Sequence, residues 1–143
     1  MFDKENFKLS ILIPCYNEVS SIDLIINKVL KNLELFNFSN YEIVIVDDFS
    51  NDGTKKKLEM FSKNEKFRII LHDRNQGKGA AIRTGIKNTN GDILIIQDAD
   101  LEYDPADYNK LLTPFFETDA DIVYGSRFLG GGKYVRIHFF WHY

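Results

Sequence analysis

Short apolar runs and stretches of helical period alternate along the chain in a regular order. Leu9 to Ile13 is mainly apolar and predicts a buried strand. Ile22, Ile25, Ile26, Val29, Leu30 and Leu33 then recur at helical spacing, with Ser20 or Ser21 available to cap the helix. Glu42 to Val46 is rich in β-branched residues and predicts a second strand. Thr54 to Ser62 predicts a short helix that buries Leu58 and Phe61, and Phe67 to Leu71 a third strand. In the helix predicted over Gly79 to Lys87, Ala80, Ala81 and Gly85 are small enough for close packing on a sheet. Asp92 to Ile96 predicts a fourth strand, whose run Ile93-Leu94-Ile95-Ile96 is bounded by Gly91 and Pro105. Asp104 is placed to cap a helix with Pro105 at its first position, running to about Phe116. Ile122 to Tyr124 predicts a fifth, short strand. Such alternation implies an α/β domain with a mostly parallel sheet. No repeat, low-complexity tract or linker interrupts it, so residues 1–143 read as a single domain.

In open parallel sheets, ligands bind beyond the carboxyl ends of the strands. Every polar cluster of this chain falls at such an end. Pro14-Cys15-Tyr16-Asn17-Glu18 follows the first strand, and Asp47-Asp48-Phe49-Ser50-Asn51-Asp52-Gly53-Thr54 the second. His72 to Gly79 follows the third, Asp98, Asp100 and Glu102 the fourth, and Gly125-Ser126-Arg127 the fifth. If the backbone after the fourth strand stays extended, Asp98, Asp100 and Glu102 alternate onto one face. Hard oxygen ligands so placed suit Mg²⁺ or Mn²⁺, which bind through one or two carboxylates plus substrate phosphates. The bland alternatives are a solvated acidic loop, a helix cap at Asp47-Asp48, and glycines that serve only the turn at Gly77-Lys78-Gly79. That glycine turn could cradle phosphate, but it is no P-loop, because His72 and Gly79 stand where that motif needs Gly and Ser or Thr.

Composition narrows the classes. Hydrophobic content of 44% and aromatic content of 14% over 143 residues fit a folded domain. A net charge of −3 without a basic run argues against nucleic-acid binding. The lone Cys15 has no partner for an internal disulfide, which points to a reducing compartment and a structural thiol. The polar opening Met1 to Lys8 is no signal peptide. No apolar stretch approaches the roughly 20 residues that span a bilayer. His72, His138 and His142 lack zinc-ligand spacing with cysteine.

Taken together, Ile13 to Glu18, Val46 to Thr54, Asn75 to Ala80 and Asp98 to Glu102 resemble glycosyltransferase family 2, whose members have the GT-A fold. Asp98-Ala99-Asp100-Leu101, followed by Glu102-Tyr103-Asp104-Pro105 and then Tyr124 to Phe128, looks like the dolichol- or polyprenol-phosphate sugar transferases of that family. The resemblance covers nearly the whole chain, with the motifs in the family's order. It implies an inverting transfer from a nucleotide-diphosphate sugar, of GDP-mannose or UDP-glucose type, to a polyprenyl or dolichyl phosphate. By the same resemblance Pro14, Tyr16 and Glu18 line the nucleotide site and Asp47 holds the base. Asp98, Ala99, Asp100 and Glu102 place the divalent metal and donor phosphates, with Asp100 and Arg127 as the catalytic pair. Arg127 contacts the donor or lipid phosphate, and Lys78 and Arg83 are weaker candidates for that anionic region. Glutamine often stands at the position of Glu102 in dolichol-phosphate mannose synthases; glutamate still ligates but adds charge.

The closing stretch Val135 to Tyr143 mixes Arg136, aromatics and histidines, which suits a membrane interface or a helix packed against further sequence. The expectation is an N-terminal, donor-binding part of a longer catalytic domain, cytoplasmic and peripheral at a membrane. Its acceptor-facing helices would follow Tyr143, which leaves turnover by this part alone in doubt. The rival readings are a family 2 transferase acting on a glycan hydroxyl, a sugar nucleotidyltransferase, a non-catalytic donor-binding module and a phospho-receiver. The nucleotidyltransferase wants a Gly-rich, Arg-containing loop at Pro14 to Glu18, and the receiver wants its acidic pair after the first strand.

Overall fold

The computed structural model describes residues 7–118 and 120–125. Strands β1 (Leu9–Cys15), β2 (Tyr41–Asp47), β3 (Phe67–Leu71) and β4 (Ile93–Ile96) alternate with helices α1 (Ile22–Leu35), α2 (Thr54–Leu58), α3 (Lys78–Ile86) and α4 (Tyr108–Glu117). The strands form one sheet in the order β3-β2-β1-β4, and every pair is parallel. β1 is central and buried along its whole length, which is why its sequence reads as an apolar run.

Alternate residues of the strands feed two cores. Leu9, Ile11, Ile13, Ile43, Ile45, Ile93 and Ile95 meet the buried stripe of α1, Leu58 of α2, and Tyr108 and Leu112 of α4. Leu12, Val44 and Val46 point the other way and meet Ala81 of α3, with Ile70, Ile82 and Leu94 at the margin. The result is a doubly wound sheet with helices on both faces, as the strand–helix alternation predicts. Ile11, Ile13, Ile43 and Ile45 are fully buried, and each contributes roughly 1.5–3 kcal/mol of transfer free energy.

Polar residues set the registry at the amino end of the sheet. Ser10 Oγ donates to Glu42 Oε1 at 2.6 Å in a buried bond between β1 and β2. The Asn90 and Gly91 amides donate to Glu42 Oε1 and Ser10 Oγ, at 2.6 and 2.9 Å, and so draw the start of β4 against β1. This network satisfies two polar side chains that would otherwise be costly to bury.

The structure departs from expectation at the margins. Residues 122–124 are irregular, not a fifth strand, and make no ladder with any described strand; Ile122 and Tyr124 are 68% and 84% exposed. Their β-branched composition is a weak preference that needs a pairing partner to be realised. α2 ends at Leu58 and passes into turns, from which Phe61 still packs on Phe67 with ring centroids 5.3 Å apart. Asp104 and Pro105 open a single 3₁₀ turn, Pro105–Asp107, before α4 begins. Ser21 sits at the α1 cap position, but its hydroxyl bonds Glu18 rather than the helix amides. The Gly130 to Gly132 stretch and the Val135 to Tyr143 tail lie outside the described residues.

α3 lies unusually close to the sheet because Gly85 has no side chain. A Cβ built there would stand 2.1 Å from Leu12 Cδ1 and within 2.9 Å of two further Leu12 atoms. Leu12 is fully buried and has little room to yield. Gly85→Ala is therefore expected to destabilise the fold by about 1–3 kcal/mol through overpacking. A urea titration should show a lower midpoint at unchanged slope.

Candidate functional site

The sheet order reverses between β1 and β4: β2 and β3 lie to one side of β1, while β4 returns to the other. Loops leaving two such strands open a crevice at their carboxyl ends. A cleft of about 390 Å³ lies there. It is lined by Pro14, Cys15, Tyr16 and Glu18 after β1, Asp48 after β2, Asn75, Gly77, Lys78 and Ala81 around the start of α3, and Asp98, Ala99 and Asp100 after β4.

One carboxylate fixes the back of this cleft. Asp48 is 2% exposed and accepts from the Gln76 amide at 3.0 and 3.1 Å and from the Gly77 amide at 2.7 Å. It also accepts from His72 Nδ1 at 2.7 Å. His72 Nε2 lies 2.9 Å from Thr84 Oγ1, so the imidazole links β2 to the body of α3. Burial by itself would raise the Asp48 carboxyl; the Gln76, His72 and Gly77 bonds outweigh it and hold the group below the usual carboxylate range. Gly77 takes φ +85°, a left-handed value that suits glycine, as its amide turns toward Asp48.

The loops after β1 and β2 are laced to each other. The Asn17 amide donates to Ser50 Oγ at 2.8 Å, and the Asn51 amide returns a bond to Asn17 Oδ1 at 2.9 Å. The Glu18 and Val19 amides donate to Thr54 Oγ1 and Asp52 Oδ2, at 2.9 and 3.0 Å. Asn17 and Phe49 adopt left-handed backbone, φ 56° and 70°, within this lacing. Tyr16 is left about half exposed on the cleft wall. Asp47, only 2% exposed, accepts from the Ser50 amide at 3.2 Å and from the Ser50 hydroxyl. It opens instead onto an adjoining recess of about 380 Å³ with Phe49, Ser50, Lys55, Leu71, His72 and Asp73. Cys15 is buried with Sγ 3.8 Å from Asp47 Oδ1; burial, then the Asp47 charge, push its thiol up, as befits a structural thiol.

The acidic loop is turned, not extended. Residues 99–100 form a turn, Leu101 has φ +67°, and Asp100 Oδ1 accepts from the Glu102 amide at 3.0 Å. That side-chain bond competes with continued strand and breaks the expected alternation. Asp98 and Asp100 line the cleft, and Glu102 does not. Among the described residues, no three acidic, histidine or cysteine side chains converge as a metal cage. Gln97 anchors the loop from below: it is 1% exposed, its Nε2 donates to the Asp98 and Tyr103 carbonyls at 3.0 Å, and its Oε1 accepts from Tyr108 at 2.8 Å. Lys78 Nζ lies 2.7 Å from the Asp98 carboxylate across the cleft.

Of the residues singled out in the sequence, Pro14, Tyr16, Glu18, Asp98, Ala99, Asp100 and Lys78 thus meet in one cleft. Asp47 lies beside it, Arg83 lies in the last turn of α3 away from its lining, and Arg127 lies outside the described residues. The clamping role of Asp48 with His72 and Thr84, and the anchoring role of Gln97, were not anticipated. The one available signal was a glutamine ending an apolar run directly before an acidic loop.

The parallel sheet with helices on both faces is the GT-A type of α/β domain. The chain belongs to glycosyl transferase family 2, whose model matches residues 10–142. It is 34% identical over 126 residues to the dolichol-phosphate mannosyltransferase of Pyrococcus furiosus, covering 88% of this chain and 35% of that protein. It is 39% identical over 116 residues to the dolichyl-phosphate beta-glucosyltransferase of Saccharomyces cerevisiae, covering 77% of this chain and 35% of that protein. The chain therefore spans about a third of the length of these relatives. The mannosyltransferase PcManGT from Pyrobaculum calidifontis, solved with GDP-Man and Mn²⁺, superimposes with a TM-score of 0.56 at 23% identity, covering 69% of this chain and 29% of that one.

The Asp48 clamp carries a pH signature. Its lowered carboxyl stabilises the fold fully above the ordinary aspartate value, near 4, and that contribution is lost as pH falls through the lower folded value. Asp48→Asn is expected to lower stability by about 3 kcal/mol at neutral pH, because an amide cannot accept from all three donors. Below about pH 4 the gap between variant and wild type should narrow. Urea midpoints from pH 7 down to pH 2.5 measure both effects; a constant gap across that range would contradict the assignment.

Proposed function

We propose that this chain forms the donor-binding part of an inverting glycosyltransferase that passes a sugar from a nucleoside-diphosphate sugar, of GDP-mannose or UDP-glucose type, to a polyprenyl or dolichyl phosphate. The observation that carries this reading is the pair Asp98 and Asp100 lining one cleft with the Pro14 to Glu18 segment at the switch point of the sheet. The names of the relatives support the acceptor: the chain is 34% identical to a dolichol-phosphate mannosyltransferase and 39% identical to a dolichyl-phosphate beta-glucosyltransferase over most of its length. The donor is supported by PcManGT, whose structure holds GDP-Man and Mn²⁺ on the same fold.

The donor set at the cleft fits a hard divalent ion. Asp98 and Asp100 are two carboxylates lining one cleft, and Mg²⁺ or Mn²⁺ usually binds through one or two carboxylates with the remaining positions filled by water and substrate phosphate. Glu102 adds charge to the loop next to them. Bound there, the ion would supply Lewis-acid stabilisation of the leaving diphosphate. The protein groups orient the donor. Pro14, Tyr16 and Glu18 wall the nucleotide, and Asp47 takes the base from the adjoining recess. Ala99, whose small side chain is buried, lets the donor approach the backbone between the two aspartates. Arg127 adds a fixed positive donor for the diphosphate or the lipid phosphate. A polyprenyl phosphate is already ionised at neutral pH, so its oxygen attacks the anomeric carbon in one displacement without a general base, and none is assigned. A lipid-linked acceptor of this kind implies work at a membrane surface, on our reading at its cytoplasmic face.

Calorimetric titration with GDP, UDP, GDP-mannose and UDP-glucose, each with Mn²⁺ or with EDTA, tests this reading. One nucleotide series should bind only with metal, and Asp100→Ala should weaken that binding at least about tenfold, the scale of a lost charged ligand. Binding that is equal in EDTA, or indifferent to Asp100→Ala, would overturn it.

A further inference from the structure

The pairing of Lys78 with Asp98 is the feature of the cleft that the donor-site reading leaves unexplained. Lys78 stands at the first position of α3 and its side chain is 60% exposed, whereas the Asp98 side chain is 16% exposed. The ammonium is 2.7 Å from the carboxylate, within full ion-pair contact. Lys78 and Asp98 come from opposite walls of the cleft, and the cleft also holds Asp100 and Glu18. Lys78 is the one basic side chain among the described residues that line it.

Two physical facts make this pair more than a surface salt bridge. A largely buried carboxylate in a cleft lined by two other acids is unfavourable without a nearby cation. A lysine on a flexible stem, strongly hydrated and mostly exposed, is the cation most easily exchanged, and it binds phosphate as a point charge. Its backbone is held in place meanwhile: the Gly77 and Gln76 amides are tied to buried Asp48, and the Gly77 carbonyl accepts from the Ala80 and Ala81 amides. Only the side chain needs to move.

We infer that Lys78 is an exchangeable counter-ion. It neutralises Asp98 in the empty cleft, yields that carboxylate to the divalent cation, and then turns its ammonium to the diphosphate of the incoming nucleotide. This inference rests on the donor-site reading above and adds to it an order of events: cation and nucleotide displace the lysine together, so each is bound weakly without the other. No bond to carbon or phosphorus is made or broken in the exchange, and Asp98 has a cationic partner at both ends of it.

The two roles of Lys78 have opposite signs in one variant, which makes them separable from a structural role. Lys78→Met, at an exposed position, removes a competitor for Asp98 and a partner for diphosphate. Mn²⁺ alone, followed by its free-ion electron paramagnetic resonance signal, should bind the variant roughly two- to fivefold more tightly than wild type, the scale of a partly exposed ion pair. GDP or UDP, titrated at saturating Mn²⁺, should bind about tenfold more weakly, the scale of a lost charged hydrogen bond. Lys78→Arg should keep the nucleotide affinity within a few-fold of wild type. Unchanged or weaker Mn²⁺ binding by Lys78→Met would overturn the counter-ion role, and unchanged nucleotide binding would overturn the transfer to diphosphate. If wild type takes up neither nucleotide with Mn²⁺, the donor-site reading fails and this inference with it; if wild type does so and Lys78→Met matches it in both titrations, the inference alone fails.

Discussion

The buried carboxylate of Asp48 is the constraint on which the cleft depends. It directly follows β2, yet its partners belong to the segment that follows β3: the Gln76 and Gly77 amides and the His72 ring. A parallel sheet positions its strands by backbone ladders but says nothing about where the connecting loops go. Here one acceptor with several lone pairs collects donors from a loop that would otherwise be free, and it sets the glycine turn and the start of α3 over the carboxyl ends of β1 and β2. The Gly85–Leu12 approach secures the same helix from its other end. Between these two points α3 has no freedom to slide, so Lys78 is delivered to a fixed place on the cleft wall.

The opposite wall is built by a different device. β4 is only four residues long and, among the described strands, pairs with β1 alone. Its carboxyl end would be poorly fixed by the ladder, and Gln97 supplies what the ladder lacks by bonding two carbonyls of the acidic loop and the hydroxyl of Tyr108 on α4. The loop can then carry a left-handed Leu101 and a side-chain bond from Asp100 to the chain two residues on. Backbone strain at a cleft persists only where surrounding contacts over-determine it, and Gln97 and Tyr108 are such contacts.

How much of this was legible in the sequence follows from the same physics. β1 and β2 were readable because strands buried on both faces are apolar almost throughout. β3 and β4 were readable as short apolar runs between turn residues, although partly exposed, and the helices because α1 and α3 show their buried stripe or their small residues. The clustering of polar residues at strand ends was readable from topology alone. The fifth strand was misread at Ile122 to Tyr124, because β-propensity does not reveal whether a partner edge is present. The alternation of Asp98, Asp100 and Glu102 onto one face was conditional on an extended backbone, and a local Asx-type bond at Asp100 turns the chain instead. Asp48 looked interchangeable with Asp47; only the meeting of loops 28 and 29 residues apart separates a saturated clamp from a carboxylate facing a recess. His72 likewise showed no partner in sequence, and finds two in space.

The electrostatics of the cleft then limit what kind of ligand it can take. Of its acidic lining among the described residues, Asp48 is already satisfied by protein donors, but Glu18, Asp98 and Asp100 remain against one ammonium, that of Lys78. An anion entering such a space alone meets net repulsion, at separations short enough that screening by salt is incomplete. A cation entering alone must first displace Lys78 from Asp98. In the exchange proposed for Lys78, the two brought in together neutralise each other and release the lysine to the anion, so a divalent ion and a polyanionic ligand are favoured as a joint occupant over either one. On that reading the cleft takes a metal-bound diphosphate by charge balance, before any contact with a base or a sugar is made.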